Sequence, residues 1–344
     1  MPEKTSYDPS LPFEIDGVTV RNRAILAPMS GVTDVPFRDL AWKYGAGLVV
    51  SEMVASQALM EGEAEMQLKL QQGKVGQHVI QLAGREPEWM ALAAKMAEDN
   101  GADIIDINMG CPAKRVTTGY SGSALMRDLD HALTLIEATV QATKKPVTLK
   151  TRLGWDDNSL NAPTLARRAQ DAGVQMITIH GRTRCQFYKG HADWAKVRSV
   201  REATTLPLVV NGDIRSKADV VNACRKSGAD AVMIGRGAYG APWVPALLAG
   251  VISEDEANAL KIDPEVALSH HEAMLSFYGE PSGIRQSRKH ISWYLDQLNL
   301  PKGAGVLKRQ VLTSFDVKEI RSLLPELYAM HDEQADDVQK GAAA

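Results

Sequence analysis

Pro146-Val147-Thr148-Leu149-Lys150-Thr151, Met176-Ile177-Thr178-Ile179-His180, Pro207-Leu208-Val209-Val210-Asn211 and Ala231-Val232-Met233-Ile234-Gly235 are four short β-rich runs, each closing on a polar residue or a glycine. Ala172-Gly173 and Ser227-Gly228 read as helix stops placed just before two of them. Towards the N-terminus the same alternation continues. Further β-rich runs lie at 24–29, 48–54, 78–82 and 103–108, with stops at Tyr44-Gly45 and Asn100-Gly101. The segment 87–100 places Trp89, Leu92, Ala93 and Met96 on one helical face, and 129–143 does so with Leu129, Leu133, Ile136 and Val140. Alternating strands and helices imply right-handed βαβ units and a parallel sheet. Eight such units are the count that closes a (β/α)8 TIM barrel of ~250 residues. An open, doubly wound sheet is the rival architecture.

The chain has 344 residues, room for two domains or for one barrel with an appendage. The barrel domain is expected over 1–250. After Gly250 the β-rich runs stop, and 264–278, 283–298, 305–313 and 317–330 read as helices of a small all-helical domain spanning 251–330. The polar stretch 331–344 is expected to be a frayed, flexible tail.

Apolar residues at 44% and charged residues at 24% are ordinary globular usage. A net charge of −3 excludes a strongly basic nucleic-acid binder but allows a local basic face. Three cysteines, Cys111, Cys185 and Cys224, with no C-x-x-C spacing make neither a disulfide framework nor a zinc ribbon. The first residues carry no apolar signal region, and the most apolar window, 239–252, is too short to span a bilayer. A cytoplasmic monomer without membrane contact or metal is the expectation.

Barrel chemistry gathers at the C-terminal ends of the strands. There the chain carries Pro28-Met29-Ser30, Glu52, Gln81, Asn108 to Pro112, Lys150-Thr151-Arg152, His180-Gly181-Arg182, Asn211-Gly212-Asp213 and Gly235-Arg236-Gly237. The last two groups follow the seventh and eighth strands, where barrels often hold phosphate on backbone amides. Glycine lets the backbone approach the anion, and Arg236 adds a charged fork. Lys150 reads equally as a Schiff-base nucleophile, a countercharge for an anionic cofactor or a structural lysine, and His180 as a ligand contact or a satisfied strand end. Neighbours of Asn, Gln and Lys type argue against a catalytic metal. Cys224 falls in a helical segment and reads as core, Cys185 falls in a loop, and Cys111 sits on a Gly/Pro turn at the rim.

Taken in order, Ala27 to Asp34, Gln81 to Gly84, Asp106 to Pro112, His180 to Thr183, Asn211 to Ile214 and Ile234 to Arg236 resemble the tRNA-dihydrouridine synthase (Dus) family of flavoenzymes. Arg288-Lys289-His290-Ile291-Ser292-Trp293-Tyr294-Leu295 looks like the signature of its bacterial B-type subgroup. The resemblance implies FMN in the barrel mouth, NADPH as reductant and a uridine of the tRNA D-loop as substrate. It places Ala27, Pro28 and Met29 along the isoalloxazine, Gln81 and Lys150 at its polar edge with His180 nearby, and Asn211, Gly212, Asp213, Gly235 and Arg236 on the ribityl chain and phosphate. Asn108 would hold the target uracil. Cys111 would give a proton to C5 while a hydride reaches C6 from the other face; a thiol of ordinary pKa, ~8.5, is mostly protonated at neutral pH. The loop after Cys111 departs mildly from the family pattern, because a second basic pair is missing there.

Between 281 and 310 six cations, Arg285, Arg288, Lys289, Lys302, Lys308 and Arg309, face the single carboxylate Asp296, with Trp293 and Tyr294 interleaved. Such a patch suits phosphate backbone contact, with Arg285, Arg288 and Lys289 as the tRNA-binding candidates; a solvated helix face is the plain alternative. Three other functions remain open: a flavin-dependent reductase or dehydrogenase of a free pyrimidine, a Lys150 aldolase, and a tRNA-binding protein without catalysis.

Overall fold

The structure, a computed structural model, describes residues 7–331. The stretch from 332 onward, most of the expected tail, lies outside the described residues. The chain opens on an antiparallel hairpin, β1 (Phe13–Ile15) and β2 (Val18–Val20). Asp16 and Gly17 turn it with φ of 44° and 82°, the conformation that an Asp-Gly pair favours. Ile15 and Val20 are fully buried against Ile25, Leu48, Val79, Ile104, Met176 and Val209, so the hairpin plugs the N-terminal end of the barrel.

The barrel itself has eight strands: β3 (Ala24–Leu26), β4 (Leu48–Ala55), β5 (Val79–Ala83), β6 (Ile104–Met109), β7 (Val147–Arg152), β8 (Met176–His180), β9 (Leu208–Asn211) and β10 (Ala231–Ile234). They are parallel and close in chain order, with β10 pairing β3. This is the expected (β/α)8 architecture. Its four anticipated stop glycines, Gly45, Gly101, Gly173 and Gly228, all take positive φ. Helices such as Val35–Tyr44, Pro87–Asp99, Leu129–Ala142 and Lys217–Ser227 wrap the outside with their apolar faces inward.

The interior changes character along the barrel axis. Near the hairpin it is lined by Val79, Ile104, Met176 and Val209. Two residues further along each strand, on the same face, stand Gln81, Asp106, Thr178 and Asn211. Register then pairs Gln81 with Asp106, Asn108 with Lys150, Arg152 with His180 and His180 with Asn211. Parallel pairing in this register delivers the polar groups to one mouth.

Helices come after the barrel: Glu254–Ile262, Pro264–Tyr278, Glu280–Leu295, Gly305–Thr313 and Val317–Ala329. They bury Ala267, Ile284, Ile291, Tyr294, Val311, Ile320, Leu324 and Leu327 in a second apolar cluster, which also takes in Ala241 and Trp243. They reach the barrel where Tyr239 stacks on Trp293, centroids 4.1 Å apart, and where the Tyr278 hydroxyl donates to Asp34 Oδ2 at 3.0 Å. Among the described residues no helix is long and apolar enough to cross a membrane.

The helix expected over 283–298 runs instead over Glu280–Leu295, because the break is Gly279 (φ 75°) and Pro281 fits a first turn. Gly283 lies inside it for a packing reason. A Cβ there would stand 2.7 Å from the Leu275 Cα and the Met274 carbonyl of the preceding helix. Alanine at a helix glycine normally stabilises by ~0.5–1 kcal/mol. Gly283→Ala is expected to destabilise by about 1–3 kcal/mol through overpacking on backbone. Gly305→Ala, with nothing within 4 Å, is expected to keep the ordinary stabilising sign. Denaturant midpoints of the two variants check the pair.

Candidate active site

A cavity of about 710 Å³ opens at the C-terminal mouth of the barrel. Ala27, Pro28, Met29, Gln81, Asn108, Cys111, Lys150, His180, Asn211, Gly212, Asp213, Gly235 and Arg236 all line it. Every cofactor candidate named from the sequence, together with Asn108 and Cys111, is therefore brought to one place.

Its organisation starts from a carboxylate. Asp106 is buried in β6 and accepts from Thr148 Oγ1 and Gln81 Nε2, each at 2.7 Å. An ionised carboxylate only accepts, so it fixes the Gln81 amide with Oε1 pointing away. Gln81 Oε1 then accepts from Asn108 Nδ2 at 2.7 Å. This in turn aims Asn108 Oδ1 at the Gly110 and Cys111 amides, 3.1 and 2.9 Å away. The second Nδ2 hydrogen of Asn108 is left with the Met53 sulfur at 3.9 Å, a weak acceptor. Burial pushes the Asp106 carboxyl up, while the Gln81 and Thr148 hydrogen bonds and Lys150 pull it back.

The turn bearing Cys111 is clamped through its backbone. The Ser123 amide and Oγ donate to the Cys111 carbonyl at 3.1 and 2.9 Å. Arg152 Nε donates to the Gly110 carbonyl at 2.8 Å. None of these contacts uses the Cys111 sulfur, and the half-buried side chain faces the cavity.

The Lys150 ammonium has no hydrogen bond or ion pair among the described residues. Burial, with Arg152 close by, pushes its pKa down to about 8, against the pull of Asp106 and Cys111. His180 is held well below the ordinary histidine range by burial first and then by Arg152, Lys150, Arg182 and Arg236, so its ring is neutral at neutral pH. Its Nδ1 is buried without a protein partner. An unpaired buried nitrogen costs free energy unless a ligand satisfies it.

Beyond His180 lie the ends of β9 and β10. Asn211 Nδ2 donates to the Met233 carbonyl at 2.7 Å and pins the two strand ends together. Gly212 has φ 114°, and a Cβ there would be 2.7 Å from the Ala192 side chain, so this turn accepts glycine alone. Asp213 accepts at Oδ2 from Arg182 Nη2 and the Ala192 amide, both at 2.7 Å. Its carboxylate orders the loop after β8. Arg236 is exposed, with its guanidinium 5.0 Å from the centre of the Tyr188 ring.

The three basic candidates of the helix Glu280–Leu295 lie outside this cavity and do different things. Arg288 Nη2 donates to the Thr313 and Ser314 carbonyls at 3.1 and 3.0 Å and lies over Phe315, so it is committed to packing the helices. Lys289 bonds Gln286 at 2.8 Å and sits within reach of Asp34 and Glu52 at the rim. Arg285 is exposed. Elsewhere in the patch Lys308 pairs with Asp296 at 2.6 Å. Reading the sequence missed Arg152, Arg182 and Asp106 as organisers. All three are at most 3% exposed, and for Asp106 a charged residue inside a β-run was the available signal.

A model of the family "Dihydrouridine synthase (Dus)" matches residues 25–333. A protein of Rhizobium leguminosarum bv. phaseoli named probable tRNA-dihydrouridine synthase is 56% identical over 307 residues, covering 89% of this chain and 95% of its own. One of Rickettsia conorii with the same name is 51% identical over 288 residues, 82% of this chain and 87% of its own. The tRNA-dihydrouridine synthase B of Xanthomonas axonopodis pv. citri is 44% identical over 286 residues, 82% and 86%. Among solved structures, 2-naphthoyl-CoA reductase superposes with a TM-score of 0.57 at 12% identity over 72% of this chain and 53% of its own. Morphinone reductase gives 0.52 at 14% over 72% and 91%. These two share the fold. With the family model matching from the first barrel strand to the last helix and relatives above half identity over most of both chains, this chain belongs to the dihydrouridine synthase (Dus) family.

Proposed function

We propose that this chain is a tRNA-dihydrouridine synthase that reduces the C5–C6 double bond of a D-loop uridine, with FMN as cofactor and NADPH as reductant. The observation that carries the reading is the single cavity shared by Cys111, the Gln81–Asn108 arm, Lys150, His180 and the β9–β10 turns. Its donor set suits FMN: an unpaired ammonium for an electron-rich ring edge, an orphaned imidazole nitrogen, and glycine-bearing turns beside Arg236 for a phosphate. The chemistry the cofactor supplies when bound is hydride transfer.

The chain's own residues do the rest. Asn108 offers the N–H now facing sulfur to a uracil carbonyl, and its Oδ1 holds the Cys111 turn, so the base and the acid share one support. The Cys111 thiol gives its proton to C5. Neutral His180 hydrogen-bonds without adding a charge. Lys150 keeps the cavity positive. The test is anaerobic: NADPH bleaches the flavin spectrum of the purified protein, and unmodified tRNA restores it with a gain of two hydrogens per modified base. Restoration by free uridine instead favours the pyrimidine reductase, and a protein without flavin colour overturns both.

We assign residues 251–330 to tRNA binding. Of the six cations, Arg285, Lys302 and Arg309 are exposed and carry no ion pair among the described residues. Changing these three to Glu is expected to weaken tRNA binding and flatten its dependence on log salt by about 1 per lost phosphate contact, with flavin reduction untouched. A wild-type salt slope would make the patch a solvated face.

A further inference from the structure

Among the described residues four that are not glycine have positive φ: Asp16, Tyr120, Phe187 and Asp213. The two aspartates are explained by a hairpin turn and by the bonds to Arg182 and Ala192. The two aromatics, at 55° and 54°, close loop turns: Tyr120 follows the helix end at Gly119, where the Ser121 amide donates to the Val116 carbonyl at 3.3 Å, and the Phe187 amide donates to the Arg184 carbonyl at 3.0 Å. Both rings are exposed, Tyr120 at 69% and Phe187 at 41%, so neither is spent on packing the core. A large aromatic ring left in solvent beside a cavity is a face that a flat ligand can stack on.

Both residues flank the cavity mouth. Arg115, Val116 and Ser121 beside Tyr120, and Tyr188 beside Phe187, line the cavity. Their loops are bound to each other. Arg152 Nε holds the Gly110 carbonyl at 2.8 Å, and its Nη1 donates to the Thr183 and Phe187 carbonyls at 3.0 and 2.9 Å. Arg184 Nη2 reaches Thr117 Oγ1 at 3.4 Å. Each loop also carries exposed cations, Lys114 and Arg115 on one and Lys189 on the other. The segment after Tyr120 is keyed to the acid, since Ser123 holds the Cys111 carbonyl at 2.9 Å.

We propose that Tyr120 and Phe187 are stacking platforms for the two nucleotides that flank the target uridine in tRNA. Drawing one base out of a stack leaves each neighbour with a bare face. An aromatic ring replaces the lost partner whatever the base, and the adjacent cations meet the backbone phosphates. Because both loops are fixed to Arg152 and to the Cys111 turn, neighbours docked on them set the depth at which the uridine enters. This inference rests on the proposed tRNA reaction.

The test compares Tyr120→Asn and Phe187→Asn with the ring-keeping Tyr120→Phe and Phe187→Tyr in the flavin-loaded protein. Asparagine is well suited to positive φ, so it removes the ring and leaves the turn. Each Asn variant is expected to raise the Kd for unmodified tRNA by roughly 5- to 150-fold, the worth of one base–aromatic stack. Flavin content, the rate of flavin reduction and the KM for NADPH stay at wild type, and the ring-keeping variants bind tRNA as wild type does. Wild-type Kd in both Asn variants overturns the proposal. So does equal weakening by Asn and ring-keeping variants, which makes the loops structural, and so does a rise confined to the NADPH KM, which makes the rings a reductant site. If wild type binds tRNA without reducing it, the proposed reaction fails while the Kd comparison still decides the platforms; if it does not bind tRNA, both fall.

Discussion

Alanine at Cys111 is expected to slow reoxidation of the reduced flavin by tRNA ~10²–10⁴-fold, the usual worth of a positioned general acid, while reduction by NADPH proceeds at the wild-type rate. The geometry makes this a clean substitution. The turn is held by Asn108, Ser123 and Arg152 through backbone groups, so losing the sulfur leaves the loop where it is. His180 is a poor stand-in: burial and four surrounding cations keep its ring neutral, with no spare proton to give at neutral pH. Cys185→Ala, in an exposed loop position, and Cys224→Ala, in the core beside Tyr7, serve as controls expected to leave both half-reactions unchanged. Anaerobic single-turnover reoxidation in the presence of unmodified tRNA reads the difference. A Cys111→Ala variant that reoxidises as fast as wild type removes Cys111 from the role of proton donor.

Legibility differed by the kind of information involved. Eight barrel strands were readable because burial on both faces makes each a short apolar run, and because a parallel strand needs a helix and a stop before the next. The site residues were readable for a related reason: polar side chains at the ends of such runs have few structural explanations. The hairpin Phe13–Val20 was missed although Asp16-Gly17 between two alternating triplets announces it, since three-residue strands carry too little periodicity to stand out. The helix Glu254–Ile262 was missed although Ser253 and Glu256 form a capping box at its start. Gly283 misled in the other direction, since a sequence cannot show that a neighbouring helix backbone lies within van der Waals contact.

The basic patch shows a different limit. Charge counting treats six cations as equals, whereas the fold spends Arg288 on two carbonyls, Lys308 on Asp296, and sets Lys289 against rim carboxylates. Arg152 and Arg182 were likewise invisible as organisers. Their carbonyl and carboxylate partners come from loops up to several tens of residues away, and only the barrel's closure brings these together.

Lys150→Met is expected to move two quantities in opposite directions. In the flavin-stripped protein the ammonium stands in the cavity without a hydrogen-bond partner, and the carboxylate that acts on it, Asp106, is already engaged by Gln81 and Thr148. Burial holds the folded-state pKa at about 8, below the ordinary 10.5. The unfolded chain therefore binds more protons between those values, so stability of the stripped protein rises with pH across that window and carries the full penalty below about 8. Methionine has similar volume and no charge. It is expected to stabilise the stripped protein near neutral pH by about 1–2 kcal/mol and to abolish the rise on the alkaline side. With Lys150 as the proposed countercharge of the flavin, the same change removes a charge-assisted contact of about 1.5–3 kcal/mol, a loss of roughly 10- to 150-fold in flavin affinity. Thermal melts of the stripped variants at neutral and alkaline pH, set beside flavin titrations, separate the two effects. If the variant retains flavin as wild type does, Lys150 is not the countercharge, and if the stripped protein gains no stability, the ammonium is already compensated within the fold.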